Sequence, residues 1–104
     1  MKKAPKTNPK LAFSHLLTLI SNKVRWQILA ELMNEPGLPC NIIADRVGAS
    51  DANTFRHLNL MREWGILEKG FGNLYKIAEQ FRVPGEMSLD LDVMVLRLDT
   101  VGKG

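Results

Sequence analysis

The sequence predicts a mainly α domain with a small β-sheet (α+β): helices first, then a β-hairpin, then a C-terminal strand. Three observations predict it. Apolar residues recur at helical spacing in successive segments between residues 9 and 64. The glycine-bearing link Gly70-Phe71-Gly72-Asn73 separates two short strand-like runs. Residues 89–99, LDLDVMVLRLD, alternate apolar with polar or smaller side chains.

Each element follows from its own residues. Asn8 and Pro9 read as the N-cap and first position of a first helix, whose Phe13, Leu16, Leu17 and Ile20 share one face at i, i+3, i+4 and i+7. Asn22 caps a second helix with Val24, Ile28, Leu29 and Leu32 inward. That helix stops at Asn34-Glu35-Pro36-Gly37, because the Pro36 ring disfavours helical geometry in the residue before it. Leu38-Pro39 opens a third, short helix with Ile42, Ile43 and Val47 inward, ended by Gly48 in a left-handed conformation. Ser50 starts a fourth helix, residues 50–64, with Thr54, Leu58 and Met61 inward and Gly65 as its C-terminal cap. Residues 66–69 and 74–77 make the hairpin. A linker with Pro84-Gly85 leads into 89–99, read as one long strand. An unpaired edge so apolar invites aggregation, so the strand is expected to complete a three-stranded sheet with the hairpin, with pairing across a dimer as the alternative. There is no internal repeat.

Composition narrows the class. A chain of 104 residues, 45% of them hydrophobic, fits one domain with a real core. Cys40 stands alone, which excludes an internal disulfide. Ser14, His15 and Thr18 interrupt the apolar stretch near the start, and Asn22, Lys23 and Arg25 follow it, so it does not read as a secretory signal. No stretch has the length of a membrane span. The expectation is a soluble, cytoplasmic protein. Its net charge of +3 is uneven: residues 1–82 carry twelve Lys/Arg against seven Asp/Glu, and residues 83–104 two against four. The excess suits a polyanionic partner, although many proteins of this charge bind no nucleic acid. The chain divides into a basic arm at 1–8, a domain at 9–82 and an extension at 83–104 that packs on the hairpin sheet or at a dimer interface. The arm reads either as a frayed terminus or as a segment touching phosphate or a minor groove.

Three helices closed by a hairpin is the plan of a winged helix-turn-helix. The turn Gly48-Ala49-Ser50 would cross the third and fourth helices steeply and leave one face of 50–64 free for a major groove, with 66–77 as a wing on the backbone. Asp51, Asn53, Arg56 and His57 then lie on or near that face, and Ser50 either caps the helix or bonds a phosphate. Asn suits adenine edges, and Arg suits guanine edges or phosphates. Asp51 repels phosphate but can accept from cytosine; Phe55 either packs on a neighbouring helix or meets a thymine methyl. Lys69 and Lys76 flank the wing, whose Gly70 and Gly72 let backbone approach phosphate closely. Lys23 and Arg25 oppose the dipole of the second helix and are further backbone candidates. Read without the surrounding architecture, Ser50, Asp51, Asn53, Arg56 and His57 are simply polar residues on a solvated helix face, and the two wing lysines are solubilising.

From Ser21 to Ile77 the chain resembles the ArsR-like winged helix-turn-helix regulators, through SNKVRWQILAEL and IIADRVGASDANTFRHLNLMREWGILEKG, with FRHLNLMREWGIL the most specific part. The resemblance implies a homodimer on a palindromic double-stranded DNA operator, contacted by Ser50, Asn53, Thr54, Arg56 and His57. Two features depart from it. Metal-sensing members carry paired cysteines where this chain has LPCNIIADRV, and one thiolate does not make a soft-metal site. Members commonly end in a helix, where this chain has an acidic, strand-like tail.

No spacing of His15, His57 or Cys40 suggests a metal site or a nucleophile with its base, and no phosphate-cradling glycine motif is present, so the chain is not expected to be an enzyme or to carry a cofactor. The rival reading is a winged-helix module that binds protein, which Asp51, Phe55 and the acidic tail favour. RNA binding lacks the aromatic stacking platform that single strands need.

Overall fold

In a computed structural model of the chain, residues 12–91 and 94–98 are described. Four helices come first: α1 (Phe13–Ile20), α2 (Lys23–Asn34), α3 (Cys40–Val47) and α4 (Asp51–Glu63). Two antiparallel hairpins follow, β1 (Leu67–Lys69) with β2 (Tyr75–Ile77), and β3 (Ser88–Asp90) with β4 (Val95–Arg97). A tight turn at Phe71–Asn73 links β1 to β2, and a 3-10 turn at Glu79–Phe81 precedes β3.

Local chemistry sets the helix limits. The Asn22 side chain accepts from the N–H groups of Val24 (2.9 Å) and Arg25 (3.2 Å), which otherwise have no partner in the first turn of α2. Gly48 closes α3 at φ 73°, and the Ala44 carbonyl accepts from both Gly48 (3.0 Å) and Ala49 (3.1 Å). In α1, Ala12 is extended and makes no side-chain cap, so the helix opens at Phe13; the expected Asn8-Pro9 start and the Phe13 side chain lie outside the described residues.

Two expected inward positions face out. Leu17 is 49% exposed, and α1 instead buries Leu16 and Leu19. Two apolar stripes overlap in LLTLI, and spacing alone does not choose between them. Ile42 of α3 is exposed while Ile43 and Ala44 are buried, since an eight-residue helix gives periodicity little to average over. The remaining inward residues pack as expected. Ile28, Leu29 and Leu32 of α2, Ile43, Leu58, Met61, Ile66, Leu67, Tyr75 and Ile77 belong to one continuous core.

The tail differs most from expectation. The stretch 89–99 is not one strand. It turns back on itself, with the Leu91 N–H donating to the Met94 carbonyl (2.9 Å) and Ser88 pairing with Arg97 across β3 and β4. Asp92, Val93 and Asp99 lie outside the described residues. Among the described residues β3 and β4 form their own two-stranded sheet, and the three-stranded sheet with the first hairpin does not form. The edge of β2 is already occupied. Tyr75 exchanges backbone hydrogen bonds with Leu38, in the link between α2 and α3 (2.8 and 3.2 Å). Burial explains the rest: Leu89 and Leu91 are buried before the turn and Leu96 and Leu98 after it, while Val95 is exposed. The inward set shifts by one residue between the two halves of the stretch, as the antiparallel pairing of β3 with β4 allows.

Candidate nucleic-acid interface

Helix α4 has one buried side and one open side. Ser50 caps it, its Oγ accepting from the Asn53 N–H at 3.0 Å, and Gly65 (φ 89°) turns the chain away at the far end. Thr54, Leu58 and Met61 are fully buried against the core. Thr54 therefore leaves the contact set that the resemblance implies. Its side chain has no route to a groove, and its Oγ1 finds no hydrogen-bond partner among the described residues. On the open side Asp51, Ala52, Phe55, Arg56, Arg62 and Glu63 are exposed, with Asn53 and Asn59 half-buried beside them. Phe55 is 47% exposed, which leaves it on the open side and not packed under a neighbouring helix.

The fold brings Asn53 and Arg56 together: Arg56 Nη2 donates to Asn53 Oδ1 at 2.6 Å. With that carbonyl engaged, the pair offers chiefly donors, the Asn53 amide N–H groups and the other guanidinium N–H groups. A donor-rich pair suits acceptors, guanine O6 and N7 or phosphate oxygen, better than the mixed edge of adenine.

Arg25 and His57 are tied to each other instead. Arg25 Nε donates to His57 Nδ1 at 3.2 Å, and Arg25 Nη1 donates to the Thr18 carbonyl at 2.6 Å. The same guanidinium lies 5.5 Å from the Trp64 ring centroid, and His15 stacks on Trp64 at 5.2 Å. Burial lowers the His57 pKa below its ordinary value, and the positive charges of Arg25 and Arg56 lower it further, so at neutral pH the ring is uncharged and Nδ1 can accept. Partial burial also lowers the Arg25 pKa, although a guanidinium remains a cation at any ordinary pH. A cation that opposes the dipole of α2 thus has an internal use, holding α1 and α4 to α2. Arg25 was legible as an anomaly at a helix start; nothing in the sequence pointed to Trp64 as its partner.

In the wing, Lys69 and Lys76 are both exposed. The Lys69 amino group lies 5.8 Å from the Tyr75 ring centroid, and Lys76 is 4.0 Å from the Glu68 carboxylate directly across the strands. The tip is closed by the Gly70 N–H donating to the Leu74 carbonyl at 2.8 Å. Gly72 (φ 73°) and Asn73 (φ 59°) take the left-handed conformations the turn requires. Phe71, between two glycines, is 98% exposed.

Cys40 opens α3, and its thiol lies 3.7 Å from the Asp51 carbonyl. Burial raises its pKa and the Asp51 charge raises it further, the opposite of what a reactive thiolate needs. Among the described residues no three His, Cys, Asp or Glu side chains gather as a metal-binding group. No described helix is long and apolar enough to cross a membrane.

Residues 21–68 match a family model of winged helix-turn-helix DNA-binding domains. The fold is a winged helix-turn-helix. The matched stretch is 48 of the chain's 104 residues and covers α2, α3, α4 and the start of β1. The match is to winged helix-turn-helix domains as such, without singling out the ArsR-like group, and it supports a DNA-binding role in general. No curated protein and no solved structure matches the chain significantly. In this winged helix-turn-helix, α3 and α4 are the paired helices and β1–β2 is the wing.

Proposed function

We propose that the protein is a cytoplasmic, sequence-specific regulator of transcription that binds double-stranded DNA as a homodimer, with α4 in the major groove and the wing on the backbone. The observation that carries the reading is the division of α4. Its inward side is locked into the core, while its first two turns carry exposed Asp51 and the paired Asn53 and Arg56, where helices of this kind meet base edges. Ser50, Lys69 and Lys76 are the backbone candidates; Lys76 shares its charge with Glu68 and contributes less than Lys69. Arg25 and His57 act through position, keeping α4 at its angle to α2.

Selection of bound sequences from a random duplex pool tests the reading. An enriched inverted repeat is expected, with affinity falling steeply as salt rises. The Arg56→Ala variant should lose about 1–3 kcal/mol of binding and relax the preference at one position of each half-site, measured by titration of the selected duplex. Exposed Phe55 and Asp51 favour a second reading, in which the same side of α4 meets a protein. No enriched duplex at any salt concentration would remove the first reading and leave the second.

A further inference from the structure

The wing carries an apolar group for which the folded chain has no use. Phe71 is 98% exposed, and its neighbours Gly70 and Gly72 carry no side chain that could shield it. Phe55, the other exposed aromatic among the described residues, lies on a helix side that the fold leaves half open; Phe71 stands in the turn between the two wing strands. Short constraints hold it there. The strands pair in register from Leu67 with Ile77 to Lys69 with Tyr75, Gly70 bonds to Leu74 across the mouth of the tip, and two left-handed residues fix the return. A ring presented on so short a turn loses little conformational freedom when it is buried by a partner.

The surroundings indicate which partner. Lys69 and Lys76 lie on the two strands just behind the tip, and Glu68, the one acidic residue of the 66–77 segment, is paired with Lys76. The tip is therefore apolar with a net cationic base. It is also narrow, since both neighbours of Phe71 lack side chains, and it leaves α4 by a short link through Trp64 and Gly65. An apolar side chain on a slim, positively charged projection fits the minor groove of a duplex, whose floor accepts apolar wedges between base steps and whose walls are phosphate. A purely apolar protein contact would explain the ring but not the lysines.

We propose that Phe71 is a wedge: on binding it enters the minor groove beside the major groove occupied by α4, partly unstacks one base step and bends the duplex. The inference rests on the DNA-binding reading above and adds to it a contact, a deformation and a reader of DNA flexibility. Steps that unstack easily, TA and CA/TG, are then favoured at a position no hydrogen bond touches.

The test uses the full chain and a duplex recovered by selection, labelled at both ends for energy transfer, with 2-aminopurine placed step by step along the flank that faces the wing. The wild-type protein is expected to bend this duplex by about 20° or more and to brighten 2-aminopurine at one step. Phe71→Ala should remove both signals and weaken binding about tenfold to a hundredfold, while Phe71→Leu retains most of each. Thermal unfolding of Phe71→Ala should match the wild type, because the ring packs on nothing. If both proteins bind the duplex equally and neither bends it, the wedge is wrong and the DNA-binding reading stands. If no duplex is bound, both fail. If Phe71→Ala abolishes self-association in sedimentation and leaves the bend intact, the ring belongs to a protein contact and the wedge is likewise overturned.

Discussion

The wing and the C-terminal hairpin are each made of three-residue antiparallel strands, and they direct their side chains differently. In the wing, Leu67, Tyr75 and Ile77 anchor the strands to the core, but all five residues from 70 to 74 are exposed. In the C-terminal hairpin burial continues to the turn and beyond the last strand, through Leu89, Leu91, Leu96 and Leu98. Charge divides the same way: residues 66–77 hold two lysines against one glutamate, and residues 83–104 two basic against four acidic side chains. A two-stranded hairpin is barely stable alone, so each must lean on something. The C-terminal one covers the core; the wing uses the core only as a foothold and projects the remainder into solvent. The two elements share a geometry, and what each is for is decided by which side chains lie at the turn.

The largest effect that separates them is on stability. Leu89→Ala, at a fully buried position of β3, should cost about 2–5 kcal/mol of folding free energy through lost burial and the cavity left behind. Denaturant unfolding measures it. A loss below about 1 kcal/mol would mean that the C-terminal hairpin is a surface attachment, and the contrast with the wing would collapse.

The contrast was only partly legible in the sequence. The caps Asn22, Gly48, Ser50 and Gly65, and the inward residues Leu58 and Met61, follow from chemistry confined to a few neighbouring residues, and the structure has each where the sequence puts it. The wing was legible for the same reason, since Gly70 and Gly72 announce a tight turn. The turn at 91–94 has no glycine, proline or asparagine to announce it, and the apolar run Val93-Met94-Val95-Leu96 conceals a one-residue shift of face. Phe81, fully buried as the last residue of the 3-10 turn at Glu79–Phe81, had no periodic neighbours to signal it. At the site, Asn53 and Arg56 could be placed from helical spacing. The engagement of Arg25 with His57 and Trp64 joins residues 32 or more positions apart and leaves no local trace. Thr54 had two incompatible roles, as an inward residue and as a contact, and burial decides for the first.

A middle-sized effect tests whether the wing is held rigid at its tip. Gly72 sits at φ 73°, and a Cβ there would meet only Leu74, 4.0 Å away, so the cost of Gly72→Ala lies in the backbone and not in a clash. About 1 kcal/mol is expected, since a left-handed L-residue costs roughly 1–2 kcal/mol and the stiffer unfolded chain returns part of it. Gly85 has φ 77° and open space around it, in the linker before β3, and the same substitution there is the matched control. Similar losses at both sites are expected from denaturant unfolding. Hydrogen exchange at Gly70, whose N–H closes the tip, should quicken only in Gly72→Ala. Unchanged exchange there would show that the tip does not depend on this turn.

The smallest effect isolates the helices from both hairpins. Neither hairpin contains a histidine, so mild acid should leave them alone and act where His57 of α4 meets Arg25 of α2. Burial and the charges of Arg25 and Arg56 hold the His57 pKa below its unfolded value of about 6.5. Between those two values the unfolded chain binds a proton that the folded chain does not, so stability rises with pH across that window. The contribution is complete above the unfolded value and declines as pH falls from about 6.5 toward the lower folded value. Protonation removes the acceptor of the Arg25 N–H and sets a third positive charge beside Arg25 and Arg56. The ring is only partly buried, so water and salt screen much of this and the slope is shallow. His57→Gln keeps an oxygen able to accept from Arg25 and has no titration, so its stability should lose that slope. Direct titration of the His57 ring by NMR decides the matter. A midpoint at or above the ordinary histidine value would mean that Arg25 does not lie against it, and that α4 is oriented by its buried side alone.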